Sequence, residues 1–172
     1  MRLLELEAHR LGMTRNAFFA YGSNLDWKQI RDRCPSAKFV CTANLPEHWL
    51  DFTRKSSKKD REGGVADVIS DPHQAVWGVV YHVDETDVGR LDRSEGFRPN
   101  RPVEQNSYVR VSSHVFKEGN EEDRLVVFYY VANKQDGWPF MPHPNYKRLI
   151  IAGARFWHLP DPYVEALERK VT

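Results

Sequence analysis

The stretch that most constrains the fold begins with the apolar residues 17–20 and passes directly into Tyr21-Gly22-Ser23-Asn24-Leu25. An apolar run of this length is typical of a buried strand. The run stops at a glycine, and the Ser, Asn and Asp residues that follow favour a helix N-terminus. Apolar side chains at helical spacing then continue to Pro35, a residue type that ends helices. The sequence therefore predicts a strand, a tight turn and a helix in immediate succession.

This junction directs several unpaired backbone N–H groups at one place, and the positive end of the helix dipole favours an anion there. Gly22 has no side chain, so a ligand can approach the backbone closely at this point. The other interpretation is structural, because many Gly-Ser turns only connect two elements. The residues of the turn leave both interpretations open.

The composition predicts one folded domain with a sizeable core. The chain has 172 residues, 41% of them hydrophobic, and it contains five Trp, seven Tyr and nine Phe. These values are typical of a globular protein. Residues 1–15 carry scattered leucines among charges, and we expect an N-terminal extension there, either a short helix or a frayed, flexible leader. Residues 16–172 are expected to form a single domain, since no linker or internal repeat divides them.

Charge, hydropathy and cysteine usage predict a cytoplasmic protein without a nucleic-acid or membrane partner. The formal net charge of +1 gives no reason to propose either partner. No apolar run is long enough for a membrane helix, and the N-terminal residues do not resemble a secretory signal. Cys34 and Cys41 fit neither a disulfide framework nor a common zinc motif. We therefore expect both to be buried thiols.

Nucleophilic and metal-dependent catalysis find little support in the sequence. Ser23 or Cys41 would need a histidine beside it, yet the seven histidines are scattered and no two stand at i, i+4 spacing. The same scatter argues against a zinc site. The chain also lacks a phosphate-binding P-loop, an HExxH sequence and a GxSxG sequence. We expect no metal site.

Periodicity and turn residues predict that strands dominate the middle of the chain. Apolar and alternating segments indicate strands at residues 37–45, 49–53, 65–69, 75–83, 108–116 and 124–131. Pro46 separates the first two, and Asp71-Pro72 is expected to turn the middle pair into a hairpin. Helices are predicted from Asp84 to Gly96, from Tyr146 to Trp157 and from Asp161 onward.

Short motifs along the chain carry a resemblance to a known family. The first is Phe18-Phe19-Ala20-Tyr21-Gly22-Ser23-Asn24-Leu25. It is followed, in the family's order, by GGVA at 63–66, VWGVV at 76–80, LDRSEG at 91–96, Tyr146-Lys147 and Gly153-Ala154. Through these motifs, which span roughly residues 16–170, the chain resembles the γ-glutamylcyclotransferases, an AIG2-like family. The resemblance implies an α+β fold built on a compact mixed β-barrel with flanking short helices.

The resemblance also implies an activity, the release of 5-oxoproline from a small γ-glutamyl compound, most directly a γ-glutamyl amino acid. The substrate's own α-amine attacks its γ-carbonyl, so the reaction needs no cofactor. Glutathione and γ-glutamylamines are alternative substrates, with glutathione expected to be a poor one. A homodimer is the assembly that the resemblance suggests. A non-catalytic small-molecule binding protein on the same fold is the rival interpretation.

The catalytic residue implied by the resemblance is Glu95, in the LDRSEG segment. Without the resemblance, Glu95 is one of 24 acidic residues and would be interpreted as a surface acid. As an acid/base it would take a proton from the amine and return it to the leaving nitrogen. Turn N–H groups would bind the α-carboxylate or the developing oxyanion, while Asn24 and Leu25 are interpreted as helix capping and core. The implied substrate-binding residues are Phe18, Phe19, Ala20, Tyr21, Gly22, Ser23 and Tyr146.

For several further segments, the sequence leaves two interpretations open. The charge run at 54–62 is a solvated loop or a mobile cationic flap, and the loop is favoured. Either Arg98 or Arg101 binds a substrate carboxylate, or both are simply solvated, which is again favoured. The aromatic loop at 133–145 covers a pocket or acts as a plug. Either Tyr129 or Tyr130 faces the barrel interior, and alternation does not decide between them.

Overall fold

A closed five-stranded barrel forms the centre of the computed structural model, which describes residues 15–170. The strands follow one another around the barrel in the order β1-β3-β2-β4-β5. Neighbouring strands are antiparallel, except that β5 returns to β1 in parallel at Phe18 and Phe128 and so closes the barrel. The predicted α+β class with a mixed barrel is confirmed. The strands are β1 (Arg15–Ala20), β2 (Lys38–Lys55), β3 (Gly64–Asp84), β4 (Tyr108–Lys117) and β5 (Arg124–Ala132).

Four α-helices accompany the barrel in the described part of the chain, and they lie where the sequence predicts helices. No helix among residues 15–170 is long and apolar enough to cross a membrane. The extension expected over residues 1–15 lies outside the described residues, except for Arg15, which begins β1. The helices are α1 (Trp27–Arg33), α2 (Glu85–Ser94), α3 (Pro144–Phe156) and α4 (Asp161–Arg169).

The predicted break at Pro46 and the predicted hairpin at Asp71-Pro72 are both wrong. β2 and β3 are each continuous, and they pair with each other in antiparallel fashion along their whole length. Pro46 lies opposite Ala75 at a register shift, and residues 71–74 form the longer side of the same irregularity. A proline is tolerated in a strand at such a bulge, because no ladder hydrogen bond is needed from its nitrogen. The two turn signals therefore mark one bend in one long ribbon.

The predicted succession of strand, turn and helix at the start of the domain is confirmed. After β1 the chain passes through Gly22 into a 3₁₀ turn at Ser23–Leu25, and α1 begins at Trp27. Asp26 is the N-cap of α1, and its side chain accepts a hydrogen bond from the backbone amide of Gln29 at 2.7 Å. This short polar cap lets the chain reverse direction directly after a buried strand.

Both cysteines are buried free thiols, as predicted. Burial, and then the Asp87 carboxylate, raise the pKa of Cys34 to about 12, so this thiol stays neutral. Asp87 also accepts hydrogen bonds from the amide of Ser36 at 2.9 Å and from its hydroxyl at 2.6 Å. These bonds tie the end of α1 to the start of α2. They therefore hold together the two helices that supply polar side chains to the site described below.

The 3₁₀ turn is held from the side of α3. A Cβ atom at Gly153 would lie 2.6 Å from Cβ of Leu25 and 2.7 Å from its carbonyl carbon, closer than atoms in contact can be. At the end of α3, Trp157 donates from Nε1 to the Leu25 carbonyl at 2.8 Å. The Tyr81 hydroxyl donates to the Asn24 carbonyl at 3.2 Å. The turn is thus fixed by both backbone packing and hydrogen bonds.

We expect Gly153→Ala to lower the free energy of unfolding by roughly 1–3 kcal/mol, because the Leu25 backbone must move to admit the methyl group. Gly89→Ala is the matched control, since its Cβ would meet only Nη1 of Arg93 at 3.6 Å. Within a helix that substitution should stabilise the protein by about 0.5–1 kcal/mol. Urea unfolding of the two variants measures the difference. Equal stabilities would contradict the tight contact between α3 and the turn.

Candidate active site

The segment between β1 and α1 lines a small inner pocket with a volume of about 40 Å³. All the catalytic and substrate-binding residues that the family resemblance implies line this pocket. They are Phe18, Phe19, Ala20, Tyr21, Gly22, Ser23, Glu95 and Tyr146, together with Asn24, Ala66, Tyr108 and Tyr130. Residues that are far apart in the chain are therefore brought together at one end of β1.

A larger outer cleft of about 260 Å³ adjoins the inner pocket. The two cavities share the side chains of Ser23, Glu95, Tyr108 and Tyr146. Among the described residues that line the two cavities, Glu95 alone has an acidic side chain. A ligand that extends from one cavity into the other must therefore pass the Glu95 carboxylate.

Glu95 caps the C-terminal end of α2, where its carboxylate meets the 3₁₀ turn and α1. Its Oε1 atom accepts hydrogen bonds from Nδ2 of Asn24 at 2.9 Å and from Nη1 of Arg33 at 3.0 Å. The same Arg33 nitrogen donates to Oδ1 of Asn24 at 2.8 Å, which closes a three-residue network. Within residues 15–170, Oε2 of Glu95 receives no hydrogen bond, so it is available to a ligand.

Gln29 on α1 extends this network to Ser23 and Arg61. Its Nε2 atom donates to the Ser23 hydroxyl at 2.7 Å and lies 3.3 Å from Oδ1 of Asn24. Its Oε1 atom accepts from Nη1 of Arg61 at 3.0 Å. Side chains from the turn, α1 and the segment after β2 are thus linked, and the orientation of Asn24 is determined on both sides.

Sequence reasoning missed the roles of Asn24, Arg33 and Gln29. Asn24 was predicted to cap a helix, but its side chain instead contacts Glu95 across 71 residues of sequence. Asp26 provides the cap. Arg33 looks like any basic residue in the last turn of a helix, and no local pattern distinguishes it. Arg33 lies in the predicted helix that follows the YGSNL motif. Only the position of Glu95 in the folded structure shows that the two side chains meet.

Tyrosine hydroxyls complete the polar lining of the inner pocket. The Tyr21 hydroxyl donates to the Tyr130 carbonyl at 2.5 Å. The peptide group of Ala66 is bound on both sides, since its carbonyl accepts from the Tyr108 hydroxyl at 2.7 Å and its amide donates to the Tyr146 hydroxyl at 3.1 Å. Burial raises the pKa of Tyr146 to about 12 and that of Tyr21 well above its ordinary value. Both are neutral phenols at physiological pH.

Most of the charge run at 54–62 is the exposed loop between β2 and β3 that the sequence favours, and the run also lines the outer cleft. Arg54 and Lys55 belong to β2, and Lys58 and Arg61 follow it on the cleft wall. The sequence alone favours the solvated loop, because the run has no apolar periodicity. Pairing of β2 with β3 carries its first residues into the sheet and brings the rest alongside Glu95.

The other segments with two interpretations are the Arg98–Arg101 loop, the aromatic loop and the Tyr129–Tyr130 pair. Arg98 and Arg101 line neither cavity, in agreement with the favoured interpretation. The aromatic loop also lines neither one, and its backbone bonds to the strand ends, with the Phe140 amide donating to the Phe52 carbonyl at 2.8 Å. Of the two candidate tyrosines, Tyr130 lines the inner pocket.

Side chains of the kinds that bind metal ions do not cluster in the described part of the chain. Among residues 15–170, no group of three or more His, Cys, Asp and Glu side chains is arranged to hold a metal ion. The polar groups that converge on the inner pocket are an amide, a guanidinium, a carboxylate and phenols. Such a set suits the binding of a polar organic molecule.

The chain is similar to proteins of one family in both sequence and structure. The model of the AIG2-like family matches residues 75–167. The γ-glutamylcyclotransferase of Homo sapiens is 34% identical over 153 residues, which cover 88% of this chain and 76% of the human protein. That of Mus musculus is 35% identical over 154 residues, with the same coverage. A solved structure of a γ-glutamyl cyclotransferase matches with a TM-score of 0.79 and 31% identity, over 92% of this chain and 89% of that one.

The AIG2-like match includes the segment that holds Glu95. The AIG2-like match alone covers more than half of the chain, from the second half of β3 into α4. The chain belongs to the γ-glutamylcyclotransferase family.

The buried tyrosines predict an alkaline limit to stability. Burial raises the pKa of Tyr21, Tyr81, Tyr130 and Tyr146 above the value of about 10 for an unfolded chain. The folded state therefore holds these protons more tightly, and their stabilising effect is complete below pH 10. We expect the free energy of unfolding to fall as the pH rises from about 10 toward the Tyr146 pKa of about 12.

Urea unfolding at several pH values, combined with ultraviolet detection of tyrosinate, measures this effect. Ionisation of these tyrosines should coincide with loss of the fold. A protein that stays fully folded while all its tyrosines titrate near pH 10 would contradict the buried arrangement.

Proposed function

We propose that the protein is a γ-glutamylcyclotransferase that converts the γ-glutamyl group of a γ-glutamyl amino acid to 5-oxoproline and releases the amino acid. One observation carries the proposal: in a member of this family, Glu95 stands where the inner pocket meets the outer cleft. The scissile bond of a substrate that spans both cavities would lie beside this carboxylate. In this proposal, the other residues that line the two cavities bind and orient the substrate.

The reaction makes one C–N bond and breaks another. The substrate α-amine attacks the γ-carbonyl carbon, a five-membered lactam closes, and the bond to the leaving nitrogen breaks. Because the nucleophile is tethered to its target, orientation alone is worth an effective molarity on the order of 10⁵ M or more. A free α-amine has a pKa of about 8 and is mostly protonated at neutral pH, so a base must first remove a proton.

Glu95 is the base in this proposal, and it later serves as the acid. Its Oε1 atom is held by Asn24 and Arg33, so the unoccupied Oε2 atom takes the proton from the substrate amine. The carboxylic acid then returns this proton to the leaving nitrogen as the C–N bond breaks. The attacking nitrogen loses a second proton as it becomes the lactam N–H, and Glu95 passes this proton to the released amine in the same way. Atoms and charge then balance without water or an added cofactor.

Backbone groups of the turn supply the binding site for the γ-glutamyl half. In the described part of the chain, no hydrogen bond uses the amide N–H of Gly22 or Ser23. Both residues line the inner pocket, so these groups can donate to a carboxylate or carbonyl oxygen of the γ-glutamyl group. The neutral phenols of Tyr21, Tyr108 and Tyr146 surround the same space and add no opposing charge.

Replacing Glu95 with Gln tests the catalytic role. Glutamine retains an oxygen that accepts from Asn24 and Arg33, but it has no basic carboxylate. We expect the chemical step to slow by about 10²–10⁴-fold, with a much smaller change in affinity for an unreactive γ-glutamyl analogue. Single-turnover formation of 5-oxoproline and analogue binding measure the two quantities.

Glu104→Gln is the matched control, because Glu104 is exposed and lies outside both cavities. This variant should retain the wild-type rate. Full activity in a correctly folded Glu95→Gln protein would contradict the mechanism. A folded wild-type protein that binds the analogue but forms no 5-oxoproline from any γ-glutamyl compound would instead support a binding protein without catalysis.

A further inference from the structure

The outer cleft carries far more positive charge than the chain as a whole. Among the described residues that line it, six are basic and only Glu95 is acidic. The whole chain, in contrast, has 25 Lys and Arg residues and 24 Asp and Glu residues. A cleft lined by one sign of charge raises the local concentration of ligands with the opposite sign. The six basic residues are Arg33, Arg54, Lys55, Lys58, Arg61 and Arg93.

Much of this positive charge is not balanced by carboxylates of the protein. Arg54 donates to the backbone carbonyl of Asn133 at 3.0 Å, and Nζ of Lys55 lies 5.0 Å from the centre of the Phe140 ring. Neither partner carries a formal charge. Between residues 15 and 170, Arg54, Lys55 and Arg93 form no ion pair. The cleft therefore retains positive charge that an anionic ligand can balance.

These cations lie on two different elements around the cleft. Arg54 and Lys55 are at the end of β2, whereas Arg93 is in the last turn of α2, two residues before Glu95. A ligand with a single carboxylate can pair with one of these groups. A ligand with two carboxylates can pair with cations from both elements at once.

We infer that the outer cleft is a subsite for an acidic leaving group, in which the released amine is a dicarboxylic amino acid such as glutamate or aspartate. The inference rests on the proposed function. With the γ-glutamyl half in the inner pocket, the amine half extends past Glu95 into the outer cleft, where its α-carboxylate and side-chain carboxylate meet the cations. A volume of about 260 Å³ suits an amino acid and not a polymer.

The first measurement compares γ-glutamyl-glutamate with γ-glutamyl-glutamine, which has nearly the same shape and one carboxylate fewer. We expect kcat/KM to be about five- to tenfold higher for γ-glutamyl-glutamate, the range expected for one partly exposed charge pair of about 1 kcal/mol or slightly more. Added salt should reduce this preference, because it screens exposed charges.

Two double variants then locate the preference in the cleft. Lys55→Gln with Arg93→Gln removes two cleft cations, whereas Lys59→Gln with Arg98→Gln removes the same charge types from exposed positions outside it. We expect the first variant to reduce the preference to less than about twofold, mainly through KM for γ-glutamyl-glutamate. The second variant should keep the wild-type preference.

The outcomes separate this inference from the proposed function. Formation of 5-oxoproline from both dipeptides with equal kcat/KM would overturn the acidic subsite and leave the reaction standing. A preference that survives in the cleft variant, or disappears equally in the control, would also overturn the subsite. A folded protein that forms no 5-oxoproline from either dipeptide, nor from γ-glutamyl-alanine, would overturn both.

Discussion

The hydrogen-bonded contact of Glu95 with Asn24 and Arg33 is the interaction on which the site depends. It joins the turn after β1 and the end of α1, which are close in the chain, to the end of α2, which is far from both in sequence. The Glu95 side chain is only 14% exposed, so loss of either partner would leave a carboxylate in a poorly hydrated place with less compensation. The rest of the scaffold serves this contact: Ser36 and Asp87 tie the two helices together, and α3 holds the turn.

The local parts of this arrangement could be predicted from the sequence, and the long-range parts could not. The strand, turn and helix around Gly22 follow from an apolar run, a glycine and polar capping residues. The position of Glu95 at the end of a short helix follows from Val88, Leu91 and the glycine at 96. The meeting of Glu95 with Arg33 does not, because it depends on how the barrel closes. Family resemblance provided the functional residues in the YGSNL and LDRSEG segments, but not Arg33 or Gln29, which lie outside those motifs.

Turn residues misled the prediction where they mark a bend inside a strand. Pro46 and Asp71-Pro72 read as two separate breaks, yet they lie across from each other in one β2–β3 ribbon. The charge run at 54–62 shows a related limit: its composition correctly indicates an exposed loop, but only strand pairing shows that the run also lines the outer cleft. The single domain over residues 16–172, the homodimer and the cytoplasmic location stay predictions, since they concern features that the fold of residues 15–170 does not determine.

The most direct test of the proposed roles of the inner pocket, the outer cleft and Glu95 is a crystal structure with an unreactive γ-glutamyl analogue. In this analogue, carbon replaces the scissile nitrogen. The γ-glutamyl half should occupy the inner pocket beside the amides of Gly22 and Ser23, and the other half should lie in the outer cleft. The substrate α-amine should lie about 3 Å from Oε2 of Glu95, within reach for proton transfer. An analogue bound in the intact protein with its amine beyond hydrogen-bond reach of Glu95, or with the two halves exchanged, would contradict the account.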